Sequence, residues 1–391
     1  MANKQPIVRF SEFQNDWENR KLDSIYGRIK NAFVGTATPY YVENGHFYLE
    51  SNNVKNGQIN RNTEVFINDE FYEKQKDNWL HTGDLVMVQS GHVGHTAVIP
   101  KELDNTAAHA LIMFSNYKEN ASPYFLNYQF QTNSAKKKLD TITTGNTIKH
   151  ILSSEMKKFP VFIPTFEEQS RIGSFFKQLD DTIALHQQEL DILKQTKQGF
   201  LQKMFPKEGE SVPKVRFPGF GGKWNECCLE EKISSERKGK AKAEMLGSAS
   251  KYLETGYLNG GDCLFVDSLA DVNEDDVIIL WDGSQAGTIY HGFEGALGST
   301  LKAYQPKESG AYLYQFLKSK QDEIYKKYRT PNIPHVVKTF TKDFIIMIPS
   351  WEEQVEIGSF FKQLDDTIDL QQRELDALKE TKKAFLQKMF I

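Results

Sequence analysis

Phe166–Phe205 reads FEEQSRIGSFFKQLDDTIALHQQELDILKQTKQGFLQKMF, and Trp351–Phe390, 185 positions later, reads WEEQVEIGSFFKQLDDTIDLQQRELDALKETKKAFLQKMF. Thirty of the forty positions are identical. Each copy carries an apolar stripe stepping by four and three, the seam of a helix that needs a partner helix. The first stripe is Ile172, Phe176, Leu179, Ile183, Leu190, Leu193, Phe200 and Met204, interrupted by His186 and Lys197. The second is Ile357, Phe361, Leu364, Ile368, Leu375, Leu378, Phe385 and Met389, interrupted by Gln371 and Lys382. Thr165 and Ser350 stand three residues before Glu168 and Glu353, the spacing of a helix N-cap. A helix of about 38 residues is a rod of roughly 57 Å.

Identity that includes solvent-facing positions exceeds what core packing demands, so the two rods are expected to pack on each other as a coiled coil. Matched polar gaps in the stripes read as register-setting positions, since a slipped alignment would bury them without partners. The competing reading, two unrelated amphipathic core helices, leaves the identity of the exposed faces unexplained.

The duplication reaches beyond the rods. Val8-Arg-Phe-Ser-Glu-Phe13 followed by Trp17 returns as Val215-Arg-Phe-Pro-Gly-Phe220 followed by Trp224. The chain therefore reads as two tandem units of an α+β class. A first globular segment (1–165) is followed by a rod (166–205) and a polar, proline-bracketed linker (206–214). A second segment (215–350) and a second rod (351–391) complete the pattern. In the first segment a strand is expected at Tyr48–Val54, followed by the turn Asn56-Gly57. The apolar run Asp84–Gln89 reads as a buried strand and Thr96–Ile99 as another, with a helix near Pro123–Phe130 and a strand at Phe159–Ile163. The second segment repeats the order with Tyr252–Thr255, Asp276–Leu280 and Tyr312–Phe316.

The chain has 391 residues, a net charge of −4, and 26% charged side chains. No apolar run reaches the ~20 residues of a membrane span. The opening MANKQPIVRF lacks the apolar core of a signal peptide, so the chain is expected in the cytoplasm, away from membranes. The cysteines Cys227, Cys228 and Cys263 are too few and wrongly spaced for a zinc site or a disulfide frame. Charges are nearly balanced outside the rods, at 18 basic and 17 acidic residues over 1–165 and 19 and 20 over 206–350. Any nucleic-acid affinity must come from local patches.

Catalytic signatures are absent. The nearest approach to the Asn/Asp/Ser-Pro-Pro-Tyr/Phe loop of an adenine methyltransferase is Ser122-Pro-Tyr-Phe125, which lacks the second proline and opens a helical stretch. No phosphate-binding loop and no glycine-rich dinucleotide turn occurs, and the histidines show no metal spacing.

The arrangement resembles the specificity subunit of type I restriction–modification systems, over essentially the whole chain. The resemblance rests on the Pro-x-Phe/Trp-Glu-Glu-Gln entries, the Ile-Gly-x-Phe-Phe-x-x-Leu-Asp-x-x-Ile bodies and the Leu-Gln-Lys-Met-Phe exits of the duplicated rods. It implies two target-recognition domains separated by two helices packed antiparallel in pseudo-twofold relation, each domain reading one half of a split, asymmetric double-stranded DNA target. It also implies two modification subunits, which methylate adenine N6 with S-adenosylmethionine, and motor-nuclease restriction subunits that use ATP and Mg. The chain itself would bind no cofactor and catalyse nothing. The second rod ends at Phe390-Ile391, so if closure of the pseudo-symmetric ring in this family needs a segment beyond that helix, the residues before Val8 are the ones expected to serve.

Base edges in the major groove are read by Asn or Gln on adenine, Arg or Lys on guanine and acids on cytosine. Residues of this kind at the exit of the buried strand are Gln89, Ser90, His92 and His95, with counterparts Trp281, Asp282, Ser284 and Gln285. Ser51, Asn52 and Asn53, with Glu254 and Thr255, form a second group. Asn146, Lys149 and His150 occupy a loop equivalent to that of Arg329, Asn332 and His335. The basic runs Lys136, Lys137 and Lys138; Arg237, Lys238, Lys240 and Lys242; and Lys326, Lys327 and Arg329 are phosphate-contact candidates. For each, a solvated turn or face is the competing reading. A coiled-coil scaffold that binds proteins and has no DNA role is the alternative for the whole chain.

Overall fold

In the computed structural model the described residues are 5–145, 148–331 and 334–391. Two long helices, Phe166–Lys203 and Trp351–Lys388, are the rods foreseen from the repeat. Thr165 and Ser350 cap them as expected, accepting from the Glu168 and Glu353 N–H groups at 3.4 and 3.3 Å. The chain forms two compact units, Met1–His186 with Glu374–Ile391, and Gln187–Arg373, so each rod contributes to both.

In the first unit four strands, β1 (Tyr26–Asn31), β2 (Leu85–Val88), β3 (Thr96–Val98) and β4 (Leu111–Tyr117), form an antiparallel sheet in the order β1-β4-β2-β3. Both faces are covered. Leu85 and Met87 join the core built with Phe125, Ile172 and Phe176, while Val86 and Val88 join Leu49, Val54 and Ile99 on the other side. That is why β2 is a continuous apolar run and does not alternate.

Against this core the first rod runs antiparallel to the tip of the second. Phe175 meets Phe385 edge-on with ring centroids 5.3 Å apart, Phe176 meets Phe390 at 5.8 Å, and Asp180 pairs with Lys382 at 2.5 Å. Gly173 makes the approach possible, because a Cβ there would lie 3.0 Å from the Phe125 nitrogen and 3.0 Å from Ser122 Oγ. The Val8 N–H donates to the Lys388 carbonyl at 2.9 Å, and Phe10 packs on the same core. Among the described residues Val8 and Phe10 make this contact; of the residues before Val8 that the sequence pointed to, 1–4 lie outside the described residues. Ile7 is exposed and Gln5 bonds back to Gln14 and Asp16.

The second unit repeats the plan. Its strands β5 (Ile233–Lys238), β6 (Val277–Leu280), β7 (Ile289–Tyr290) and β8 (Leu301–Pro306) pair antiparallel in the order β5-β8-β6-β7. Val277 and Ile279 face the core that holds Phe205, Tyr312 and Phe361, and Ile278 and Leu280 face the opposite one. Rod contacts are again antiparallel: Phe200 meets Phe360 at 5.1 Å, Phe205 meets Phe361 at 5.9 Å, and Lys197 pairs with Asp365. The Val215 N–H donates to the Lys203 carbonyl at 2.9 Å, repeating the Val8 contact.

All sixteen stripe positions are buried or half-buried, and Leu201 and Leu386, outside the stripe, are buried as well. Two of the polar gaps, Lys197 and Lys382, are the lysines that reach an aspartate of the facing rod. The strand expected over Tyr48–Val54 is interrupted. His46–Leu49 is extended, Ser51–Asn53 forms one 3₁₀ turn, and Val54–Lys55 pairs with Gln58–Ile59 across the Asn56-Gly57 turn. The cause is local: Asn53 Oδ1 takes the Glu50 N–H at 3.0 Å, a side-chain bond that competes with the ladder.

Candidate nucleic-acid interface

At the end of β2 the chain turns through Gly91 and Gly94, both with positive φ (82° and 84°). This loop is stitched to the one before Ile151. Gly91 N–H donates to the Lys149 carbonyl at 3.1 Å, Ile151 N–H to the Gln89 carbonyl at 3.0 Å, and Ser90 bridges His150. Two loops chosen separately from the sequence therefore form one rim. A cleft of about 540 Å³ opens beside it, lined by Ser51, Asn52, Ser90, His92 and His95 from the predicted set. Glu50, Lys55 and His109 also line it, and sequence reasoning missed them. A signal existed for Glu50, the repeat counterpart of Glu254 in the duplicated Tyr-Leu-Glu stretch, whereas nothing local marked Lys55 or His109, which the fold brings in from distant positions.

The cleft is electrostatically built. His109 approaches Glu50 at 3.7 Å and Gly35 O at 3.0 Å. The Glu50 carboxylate raises the His109 pKa above its ordinary value, and the imidazole in turn holds Glu50 below the usual carboxylate range. Tyr41 donates its hydroxyl to Glu50 at 2.6 Å, fixing the carboxylate. His95 is different: burial, with the field of Lys136, lowers its pKa, and its Nδ1 accepts the Asn56 N–H at 3.3 Å. It is thus a neutral imidazole able to donate from Nε2. Gln89 carries a buried Oε1 without a hydrogen-bond partner among the described residues.

The second unit builds the same rim from other residues. Asp282 bridges His335, Gly283 N–H donates to the Pro334 carbonyl at 2.9 Å, and Val336 N–H to the Trp281 carbonyl at 2.9 Å. Ser284 and Gln285 are exposed in the same turn. Asp282 faces Lys238 at 3.2 Å, joining the turn to the basic run that ends β5.

Several candidates are occupied by the fold. Asn53 is 2% exposed and its amide donates to the Asn60 and Thr63 carbonyls, so it organises the turn and cannot meet a base. Trp281 is 6% exposed, part of the core, with Lys302 Nζ 3.4 Å above its ring. Glu254 caps the short helix Thr255–Leu258 by accepting from Gly256 and Tyr257, and Thr255 is the first residue of that helix. Arg237 pairs with the buried Asp276, and Arg329 donates to the Ser284 carbonyl at 2.7 Å while covering Tyr325. Asn53 and Trp281 are buried, which polarity and loop position do not reveal, while the others are half-exposed and held by partners distant in the chain or by a helix cap.

Of the basic candidates, Lys136 and Lys137 are exposed on the helix Asn133–Ile142, Lys138 lies over Phe162, and Lys149 pairs with Asp140 at 3.7 Å. Lys240, Lys242 and Lys326 are exposed, while Lys327 pairs with Glu323 and Glu208. Asn146 and Asn332 lie outside the described residues. A second groove of the first unit, about 440 Å³, joins His95 and Lys136 to Lys379, Lys382 and Lys383 of the second rod's tip, cations that the sequence assigned only to a helix. Among the described residues no group of three or more His, Cys, Asp or Glu is placed to hold a metal ion, and no helix is long and apolar enough to cross a membrane.

Residues 14–195 and 224–380 match the family described as the type I restriction modification DNA specificity domain, one match for each copy of the repeat. The chain belongs to that family. Its relatives include the MjaVIII specificity subunit of a type I restriction enzyme from Methanocaldococcus jannaschii, 32% identical over 146 residues, which are 36% of this chain and 34% of that one. A putative MjaX specificity subunit from the same organism is 21% identical over 97% of this chain and 94% of its own length. The crystal structure of a type I restriction–modification S subunit from M. genitalium superimposes with a TM-score of 0.71 at 17% identity, covering 99% of both chains. For this member of the specificity family the fold is therefore that of a solved S subunit.

Proposed function

We propose that this specificity-family chain is the non-catalytic subunit that selects DNA for a type I restriction–modification complex. Each unit reads one half of a bipartite, asymmetric double-stranded target through the loops at the end of its central sheet. Partner subunits carry out adenine-N6 methylation with S-adenosylmethionine, and ATP- and Mg-dependent cleavage; the rods recruit them.

The observation that carries this reading is one contrast. The two sheets share strand order and the two rims share their backbone hydrogen bonds, yet the rim residues differ: Ser90-Gly-His-Val-Gly-His95 in one, Asp282-Gly-Ser-Gln-Ala-Gly287 in the other. A constant scaffold with variable, rigidly held polar loops is how sequence is read, since phosphate contacts position and base-edge contacts specify. Unlike rims favour unlike half-sites.

The test is a map of methylated adenines in cells with and without this chain, supplied with its modification subunit. Methylation at one split motif that vanishes without the chain supports the reading. Exchanging 89–95 and 144–151 for the loops of another family member should change one half of the motif alone. A chain that leaves the methylation map unchanged, and binds DNA without regard to sequence, would be the protein-binding scaffold instead.

A further inference from the structure

The second unit contains a groove of about 730 Å³ whose charge is opposite to what DNA requires. Five carboxylates line it, Glu274, Asp275, Asp365, Asp366 and Asp369, against a single lysine, Lys362. Asp365 is engaged by Lys197 and by the Gln315 amide at 3.2 Å, and Asp275 lies 3.8 Å from His291. Among the described residues no cation pairs with Glu274, Asp366 or Asp369. In the first unit the matching Lys177 closes on Asp181 at 2.6 Å; Lys362 makes no such pair with Asp366 among the described residues.

An observation independent of the charge points to a ligand. Gln315, which lines the groove, is 3% exposed, and after its amide nitrogen has been given to Asp365 its Oε1 is buried without a partner. At the equivalent place in the first unit Tyr128 gives its hydroxyl to Asp180 at 2.8 Å, leaving no acceptor idle. A buried unpaired acceptor is costly unless something supplies a donor. Among the described residues Gln315 Oε1 and the carboxylates of Glu274, Asp366 and Asp369 are thus acceptors without a donor, and they outnumber the unspent donors of the groove, the Lys362 ammonium and the buried Tyr290 hydroxyl. Tyr314 and His291 add a stacked aromatic pair, with centroids 5.5 Å apart, on the same wall. Burial lowers the His291 pKa, so the ring adds no positive charge to offset the acids.

We propose that this groove docks an arginine-bearing segment of a protein partner. A guanidinium offers five N–H donors in a plane, takes carboxylates bidentately and stacks on aromatic rings, which an ammonium does less well. Duplex phosphates are repelled by the same carboxylates, so the groove is a protein site and not an extension of the DNA rim. The proposal deepens the partner recruitment in the functional reading above and rests on that reading only for the existence of a partner.

The experiment uses the full-length chain and a fluorescein-labelled ten-residue peptide of alternating arginine and glycine, followed by anisotropy at about 0.15 M salt, where the screening length is ~8 Å. Saturable one-to-one binding is expected. The double variant Asp366→Asn/Asp369→Asn, at exposed positions the fold does not need, should weaken it by about tenfold or more. Glu208→Gln/Glu210→Gln, a control of equal charge change in the linker, should leave it unchanged, and a lysine-for-arginine peptide should bind less tightly. A DNA mobility shift on the same variants should be unaffected. Non-saturable binding, equal losses in both variants, or a matching loss of DNA binding in the Asp366/Asp369 variant would overturn the groove assignment. Failure of the peptide to bind leaves the DNA reading intact, and failure of the methylation map leaves the peptide result standing.

Discussion

The Arg9 guanidinium holds Glu168 with two hydrogen bonds, Nε to Oε1 and Nη2 to Oε2, each 2.7 Å long. Glu168 is fully buried, and Trp17 Nε1 also donates to it at 3.3 Å. Arg216 repeats the grip on the buried Glu353 at 2.6 Å. This fork is what the duplicated Val-Arg-Phe and Glu-Glu-Gln motifs are for: the strand-entry segment is clamped to the first turn of the rod within its own unit. The glutamine of the same motif adds a second tie, Gln169 accepting the Ser122 N–H at 3.1 Å and donating to the Pro164 carbonyl. Removing one partner of a buried pair leaves the other charge stranded, at a cost of about 3–5 kcal/mol. Glu168→Gln should therefore lower the urea midpoint strongly. Arg9→Met combined with Glu168→Leu should recover much of that loss, because no charge is then left behind. If the double variant is no more stable than the single one, the fork contributes something other than charge satisfaction.

The rods' polar gaps give a second expectation. Lys382 and Asp180 are 15% and 7% exposed as side chains, and Lys382 also lies over the Tyr128 ring at 5.5 Å. Reversing one charge, Lys382→Glu, sets two carboxylates against each other in a dry seam and should cost several kcal/mol, in line with about 3–5 kcal/mol for a broken buried pair. Adding Asp180→Lys should restore most of it. Thermal unfolding of the four chains of this cycle yields the coupling energy, and a value near zero would remove the register role.

The rods were legible in the sequence because period and burial are the same information for a helix: each apolar position that kept the 3.5-residue step lies buried or half-buried. Their N-caps were legible for a similar reason, being set by neighbours three residues away. The partners of Lys382 and Arg9 were not, since Asp180 and Glu168 are distant in the chain and only folding selects them. Likewise the rim was half legible. Ser90 and His150 could be named as polar loop residues, but their pairing is a tertiary fact. Asn53 and Trp281 were misread because a loop residue that turns inward has the same letter as one that turns out. His109 went unseen because it sits in no motif, and Glu50, although it matches Glu254 in the repeat, acquires its character from His109 and Tyr41, which only folding brings to it.

That pair makes pH an informative variable. His109 has a folded pKa above its ordinary value of about 6.5, so its contribution to stability is complete below that value and is lost as pH rises through the folded pKa. Glu50 has a depressed folded pKa, so its contribution is present above the ordinary carboxylate value of about 4.3 and is lost as pH falls through the folded one. The pair therefore supports the first unit best between roughly pH 4.3 and 6.5. An NMR titration of the His109 ring should give a raised midpoint that Glu50→Gln brings down. A midpoint that Glu50→Gln leaves in place would mean that the Gly35 carbonyl, not the carboxylate, sets it.

For the rim, the expected outcomes separate phosphate from base contacts. Lys136 is exposed beside the His95 groove with no ion pair among the described residues, the situation of a side chain that meets the backbone of a duplex. Lys136→Ala should weaken binding to all sequences alike and reduce the slope of log K against log salt by about 1. Asn52 is exposed at the cleft and its neighbour Asn53 holds the turn rigid, the situation of a base reader. Asn52→Ala should cost about 1–3 kcal/mol at one base pair of one half-site and relax the preference there, with the salt slope unchanged. Competition assays against a panel of single-base substitutions, run at two salt concentrations, read both quantities at once. Should Asn52→Ala alter the salt slope while every base preference survives, the cleft positions the DNA and the reading is done elsewhere on the rim.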